Sequence, residues 1–139
     1  MPSPNAIVAL EATVHRVLGY LAVELADLGL TQGEVNALSQ LEPADPVTVA
    51  GLGAATGQRA STLTGVLDRL ERRGLVERRL NPRDRRSFVI ELTGEGVAVA
   101  GRVKALFADV HRRALAAVPG DAAEGFFEVL RALDELAGA

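Results

Sequence analysis

The hydrophobic period of this chain changes at Gly74, and few small folds accommodate that change. Before it, Leu63, Val66, Leu67 and Leu70 recur in steps of three and four, the spacing of one helix face. After it, residues 75–80 and 87–92 flank an Asn81-Pro82 turn and read as two strands, with Phe88, Ile90 and Leu92 expected inward and Ser87, Val89 and Glu91 outward. Gly74 falls where a helix ends in a left-handed residue, a conformation glycine adopts without a Cβ clash. A helix running straight into a hairpin is therefore the centre of the fold.

The remaining segments are helical. Ile7, Leu10, Val14, Val17, Leu18, Leu21, Leu25 and Leu28 mark an amphipathic helix over 5–28. Thr31-Gln-Gly-Glu34 fits a capping box and opens a second helix to about residue 41. Glu42-Pro-Ala-Asp-Pro46 is a loop, residues 49–55 a short helix, and Gly57 a break before the helix over 59–73. Thr93 opens a long helix to about Val118, and a last one begins at Asp121-Ala-Ala-Glu124, a second apparent capping box. The class is mainly α with a small β-hairpin (α+β). A length of 139 residues fits one domain, with 31–92 as its centre and helical regions at 5–28 and 94–137. The chain lacks cysteine, which excludes disulfides, thiolate metal sites and thiol-oxidation switching. No apolar run approaches the roughly 20 residues of a bilayer span and no signal peptide opens the chain, so a cytoplasmic location with no membrane partner is expected.

Charge distribution gives the first functional pointer. The net charge is −3, yet residues 59–86 hold nine arginines against four acids, while the rest holds six basic and fourteen acidic residues. A basic patch on an acidic body is the footprint of a polyanion-binding surface; the bland reading is a solvated, self-paired charged face. Short helix, glycine turn, polar-faced helix and arginine-tipped hairpin together form a winged helix-turn-helix. In that arrangement the second helix enters the major groove of double-stranded DNA, with its N-terminal residues at base edges. Gln58, Ser61, Gly65, Asp68, Arg69 and Arg72 lie opposite the apolar face. Ser61, Thr62 and Thr64 can bond bases or phosphates, Gly65 allows close backbone approach, and Arg69 and Arg72 can reach phosphates. The hairpin is the wing. Arg83, Arg85 and Arg86 suit a narrow minor groove, with Asp84 either orienting a guanidinium or simply capping turn N–H groups.

Over Gly65-Val-Leu-Asp-Arg-Leu-Glu-Arg-Arg-Gly-Leu-Val-Glu-Arg-Arg79, Asn81-Pro-Arg-Asp-Arg-Arg86 and Val89-Ile-Glu-Leu-Thr93 to Gly96, the sequence resembles the multiple-antibiotic-resistance regulator (MarR) family. The resemblance implies an obligate homodimer on a pseudo-palindromic operator, usually a repressor released by a small aromatic or phenolic effector. It also implies that Asp84 and Arg86 form the family's Asp-x-Arg wing signature, with Arg86 in the minor groove and Asp84 as its support. Two positions depart from the pattern: Gln58 stands where an apolar residue is usual, and Arg59 where a helix-capping Ser, Asp or Thr is usual. The lost cap should cost about 1 kcal/mol of helix stability, and Gln58 and Arg59 are counted with the DNA-facing residues of that helix, Arg59 being brought toward the DNA backbone. Apolar stripes on the terminal helices exceed what a small winged domain covers, which independently suggests a partner chain.

Rival readings have less support. Residues 47–57 imitate a glycine-rich dinucleotide-binding turn, but Thr56 stands where the third glycine belongs and the flanking segments are helical. Ser3, Ser39, Ser61 and Ser87 lie in no nucleophile elbow, and His15 and His111 have no neighbouring ligand cluster, so no catalytic residue, cofactor or metal is expected. A winged helix that binds protein instead of DNA would have no use for arginines at both helix and turn. Tyr20 reads as core or interface, with an effector-pocket lining as the sharper alternative.

Overall fold

The computed structural model describes residues 4–138; Ser3 lies outside them. Helix α1 (Ala6–Glu24) is capped by Asn5, whose side chain accepts from the Ile7 and Val8 N–H groups. It ends four residues earlier than its apolar pattern, because a 3-10 turn (Ala26–Leu28) and a left-handed Gly29 intervene. The capping box forms as read: the Glu34 N–H donates to Thr31 Oγ1 and the Thr31 N–H to Glu34 Oε2, opening α2 (Gln32–Ser39). A two-residue strand β1 (Val47–Thr48) leads into α3 (Val49–Thr56), where Thr48 Oγ1 accepts the Gly51 N–H. Left-handed Gly57 precedes α4 (Ala60–Arg72), and left-handed Gly74 ends it.

The hairpin comprises β2 (Val76–Asn81) and β3 (Asp84–Leu92), and β1 joins it as a third antiparallel strand in the order β1-β3-β2. That sheet excludes the parallel arrangement a dinucleotide-binding fold requires. The inward set needs correction. Ile90 and Leu92 are buried, but Phe88 is 44% exposed and Val89 only 6%. Val89 stands opposite Thr48 on one side and Arg79 on the other, so cross-strand side chains flank it. Phe88 pairs only with exposed Leu80, since β1 ends opposite Val89.

The core lies between α2, α3, α4 and the sheet: Leu38, Leu41, Leu52, Leu63, Val66, Leu67, Leu70, Val76 and Ile90 are each no more than 2% exposed. Each buried leucine there contributes roughly 1.5–3 kcal/mol by leaving water. Helix α5 (Gly94–Ala116) starts against this core. The Gly96 N–H donates to Thr93 Oγ1, whose hydroxyl donates to the Gly74 carbonyl at 2.6 Å. A Cβ on Gly96 would lie 1.8 Å from the Leu75 carbonyl oxygen, so only glycine fits this junction.

The chain divides into two compact units between Lys104 and Ala105. The second contains the end of α5 and α6 (Gly120–Gly138), which begins one residue before the predicted capping box and has no buried residue. Phe126 and Phe127 stack in a tilted pair 5.9 Å apart, yet each is about half exposed. In the first unit α1 buries only Leu21 and leaves Ile7, Val8, Val14, Val17, Tyr20 and Val23 exposed. The expectation that nothing in the chain approaches a membrane span is overturned at α1. It has 19 residues, and an 18-residue stretch of it has a mean hydropathy of 1.5, which is long and apolar enough by length and composition alone. The three-and-four stepping obscured this because alanines between the larger residues keep the average high.

Candidate nucleic-acid interface

The nine arginines of residues 59–86 separate into two groups. Five face acids. Arg69 Nε lies 3.0 Å from Glu34 Oε1, and Arg73 Nη1 lies 3.8 Å from Glu34 Oε2. Arg78 faces Asp68 at 2.8 Å and Glu71 at 3.3 Å, which braces α4 against β2. Arg79 pairs with Glu91 across the sheet at 3.1 Å, and Arg86 Nε lies 3.5 Å from Asp84 Oδ1. Arg59, Arg72, Arg83 and Arg85 carry no ion pair among the described residues, and all four are exposed. The self-paired reading thus accounts for part of the charge and leaves cations at both ends of α4 and at the hairpin tip.

On α4 the apolar face is buried as expected, while Ser61, Thr62, Thr64 and Arg69 are exposed. Thr64 Oγ1 donates to the Ala60 carbonyl at 2.9 Å. Arg59 occupies the N-cap position without a side-chain hydrogen bond, so the first turn keeps unsatisfied N–H groups that attract an anion. Gln58 turns away from the others: its Nε2 donates to the Gly33 carbonyl at 3.3 Å, tying the α3–α4 turn to α2.

At the hairpin tip Asn81 Oδ1 accepts the Arg83 N–H and Asp84 Oδ1 accepts the Arg86 N–H, both at 3.0 Å. Asp84 therefore fixes the turn backbone, and the same oxygen lies 3.5 Å from Arg86 Nε. The Arg86 side chain is 93% exposed. Tyr20, on α1, is 39% exposed.

Sequence reasoning found Glu34 as a cap but not as the partner of two arginines. The signal was present only as a lone acid in α2, with nothing in the spacing to select Arg69 and Arg73 35 and 39 residues on. Asp27 and Arg102 were also missed. Two Arg102 N–H donors grip the Asp27 carboxylate at 2.5 and 3.2 Å, and that hydrogen bonding holds the Asp27 carboxyl below its ordinary range.

The sequence profile of the MarR family matches residues 28–87, from the end of the 3-10 turn to the wing. Over those residues, fewer than half of the chain, the sequence is similar to that family. It is a family of transcriptional regulators, not of enzymes. An uncharacterized HTH-type transcriptional regulator of Bacillus subtilis (strain 168), YcgE, is 40% identical over 63 residues, which are 45% of this chain and 41% of that protein. The crystal structure of S. aureus MepR in its DNA-binding conformation superposes with a TM-score of 0.86 at 18% identity, covering 96% of this chain and 99% of that one. The PcaV regulator of Streptomyces coelicolor, solved with its natural ligand, gives 0.71 at 24% identity, covering 99% of each chain.

Proposed function

We propose that this chain is a MarR-family, sequence-specific DNA-binding transcriptional regulator, a ligand-responsive repressor that binds a pseudo-palindromic operator as a homodimer. The carrying observation is the placement of unpaired arginines on two separate elements, Arg59 and Arg72 on the polar-faced helix and Arg83 and Arg85 at the hairpin tip. A surface serving only solvation would neutralise them, as it does Arg78 and Arg79. In this reading α4 enters the major groove, with Ser61, Thr62 and Thr64 toward base edges and Gly65 against the groove. Arg69 and Arg72 meet phosphates, and Arg86 enters the minor groove from a turn held by Asp84. Gln58 supports the turn instead of reading bases.

The dimer is supported by the apolar side chains that α1 and α6 leave exposed. We assign 31–92 to DNA and 5–28 with 94–137 to pairing. Two-fold symmetry would set the recognition helices about 34 Å apart, one DNA turn. PcaV with its natural ligand supports an effector here, for which an aromatic or phenolic compound is proposed, with Tyr20 as a lining residue. Work on DNA places the chain in the cytoplasm. Against a membrane role stand Glu11, His15 and Arg16 in mid-α1, where ionisable groups are costly in hydrocarbon.

A gel-shift assay with DNA from upstream of the chain's own gene, with and without phenolic compounds, tests the reading. A specific shift that the effector releases is expected, with log Kd changing by about 0.9 per decade of salt for each phosphate neutralised. Binding that ignores salt would instead favour a winged helix that docks on protein.

A further inference from the structure

We infer that Glu34, on α2 and outside the DNA-facing surface, is a positioning residue for DNA recognition because it fixes the Arg69 guanidinium on the recognition helix. The inference rests on the DNA-binding reading above and deepens it. Glu34 is 3% exposed, the only charged residue among the buried ones described. A buried carboxylate is expensive unless its oxygens are satisfied, and here they are divided between two tasks. Oε2 accepts the Thr31 N–H at 3.1 Å and completes the cap of α2. Oε1 accepts from Arg69 Nε at 3.0 Å in a hydrogen bond that crosses from α2 to α4.

The second bond is not needed for the cap, and it determines what Arg69 can do. With Nε engaged, the guanidinium can rotate little, and its two Nη groups are the donors left for a ligand. The Arg69 side chain remains 45% exposed. Nη1 lies 3.5 Å from the position a Gly65 Cβ would take, so the fork lies back along α4 toward its N-terminal half. Arg73 secures the carboxylate from its other side: its Nη1 lies 3.8 Å from Oε2, and the same guanidinium donates to the Leu28 and Gly29 carbonyls at 2.7 and 3.2 Å. Glu34 is thus anchored at both oxygens while Arg69 faces outward from it. A fork held before DNA arrives loses less freedom on binding and accepts fewer wrong geometries. The carboxylate also offsets the arginine's charge, which lowers affinity for any polyanion. Both effects favour the correct sequence over a random one.

The test compares a duplex selected by the unaltered protein from a random-sequence pool with a shuffled duplex of equal composition, by binding titration at several salt concentrations. Glu34→Gln keeps an acceptor for the Thr31 cap but removes the charge. It is expected to bind the shuffled duplex more tightly, with a steeper salt slope, and to reduce the ratio of the two dissociation constants roughly tenfold, the scale of one specific contact. Arg69→Ala should reduce the ratio similarly, and the double variant no further. Arg69→Lys, which leaves α2 intact and keeps the charge but loses the planar fork, should also lose discrimination. This variant decides the question if Glu34→Gln does not fold. A Glu34→Gln protein that melts like the original with its ratio unchanged, multiplicative effects in the double variant, or full discrimination by Arg69→Lys would each overturn the inference alone. Failure of the unaltered chain to bind any duplex would overturn both it and the reading on which it rests.

Discussion

At the scale of single residues, charge counts alone mislead, because an arginine's meaning depends on what faces it. Arg78 and Arg86 are the same residue type in one basic stretch, yet Arg78 braces α4 against β2 while the Arg86 side chain is 93% exposed. Arg86→Ala is therefore expected to weaken operator binding by about 1–3 kcal/mol with the melting temperature unchanged. Titration at fixed salt checks this, and an unaltered isotherm would remove Arg86 from the interface. The position of Arg86 was legible in sequence because turn chemistry is local: Asn81, Pro82 and Asp84 specify the tip within four residues. Glu34 was not legible as a two-arginine partner, because only the packing of α2 on α4 brings those groups together. Nor does sequence fix the direction of a side chain such as Gln58, which lies on the polar arc of α4 yet bonds back to α2.

At the scale of elements, local signals gave the right kinds and short-range neighbours misplaced the details. The Thr31 cap, the break at Gly57 and the left-handed Gly74 each rest on one residue's own conformation, and each appears where it was read. The inward set of β3 failed at Phe88 and Val89 because β1, a two-residue strand too short to show a period, decides which part of the hairpin is flanked. The exposed, uncapped Arg59 sits between these cases, since its deficiency was legible and is present. Arg59→Ser should supply the missing acceptor and stabilise the protein by about 1 kcal/mol in denaturant unfolding, while weakening DNA binding by removing a cation. No gain in stability would mean that the first turn of α4 is satisfied in another way.

A different element contact carries a pH dependence. Asp27 in the 3-10 turn is held by Arg102 of α5, and its folded pKa lies below the ordinary 3.8. A depressed carboxylate pKa means that the stabilisation is fully present above the unfolded value and is lost as pH falls through the folded one. Thermal melts of the original and of Asp27→Asn should therefore differ at neutral pH and converge on acidification below the usual carboxylate range. Equal melting temperatures at neutral pH would show that the contact, exposed on both sides, contributes nothing net.

At the scale of the whole molecule, the question is what covers the terminal helices. Leu21 is the only buried side chain of α1 and none is buried on α6, although both carry apolar stripes at helical spacing. Left in water, Ile7, Val8, Val14 and Val23 on α1, and Phe126, Phe127, Val129 and Leu136 on α6, would each be a costly stripe. Such stripes are stable when a second copy covers them, and a two-fold arrangement does so with the same surface on each chain. Light scattering at micromolar concentration is expected to give twice the 14.6 kDa chain mass. Phe127→Asp places a charge in that surface without touching α4 or the wing, and should shift the protein toward monomer. Its operator affinity should then fall far more than Arg86→Ala causes, because the second half-site no longer binds as an intramolecular step. A Phe127→Asp protein that remains dimeric with full affinity would place the pairing surface elsewhere. A monomeric protein with full affinity would mean that one winged helix suffices, and the pseudo-palindromic operator would lose its physical basis.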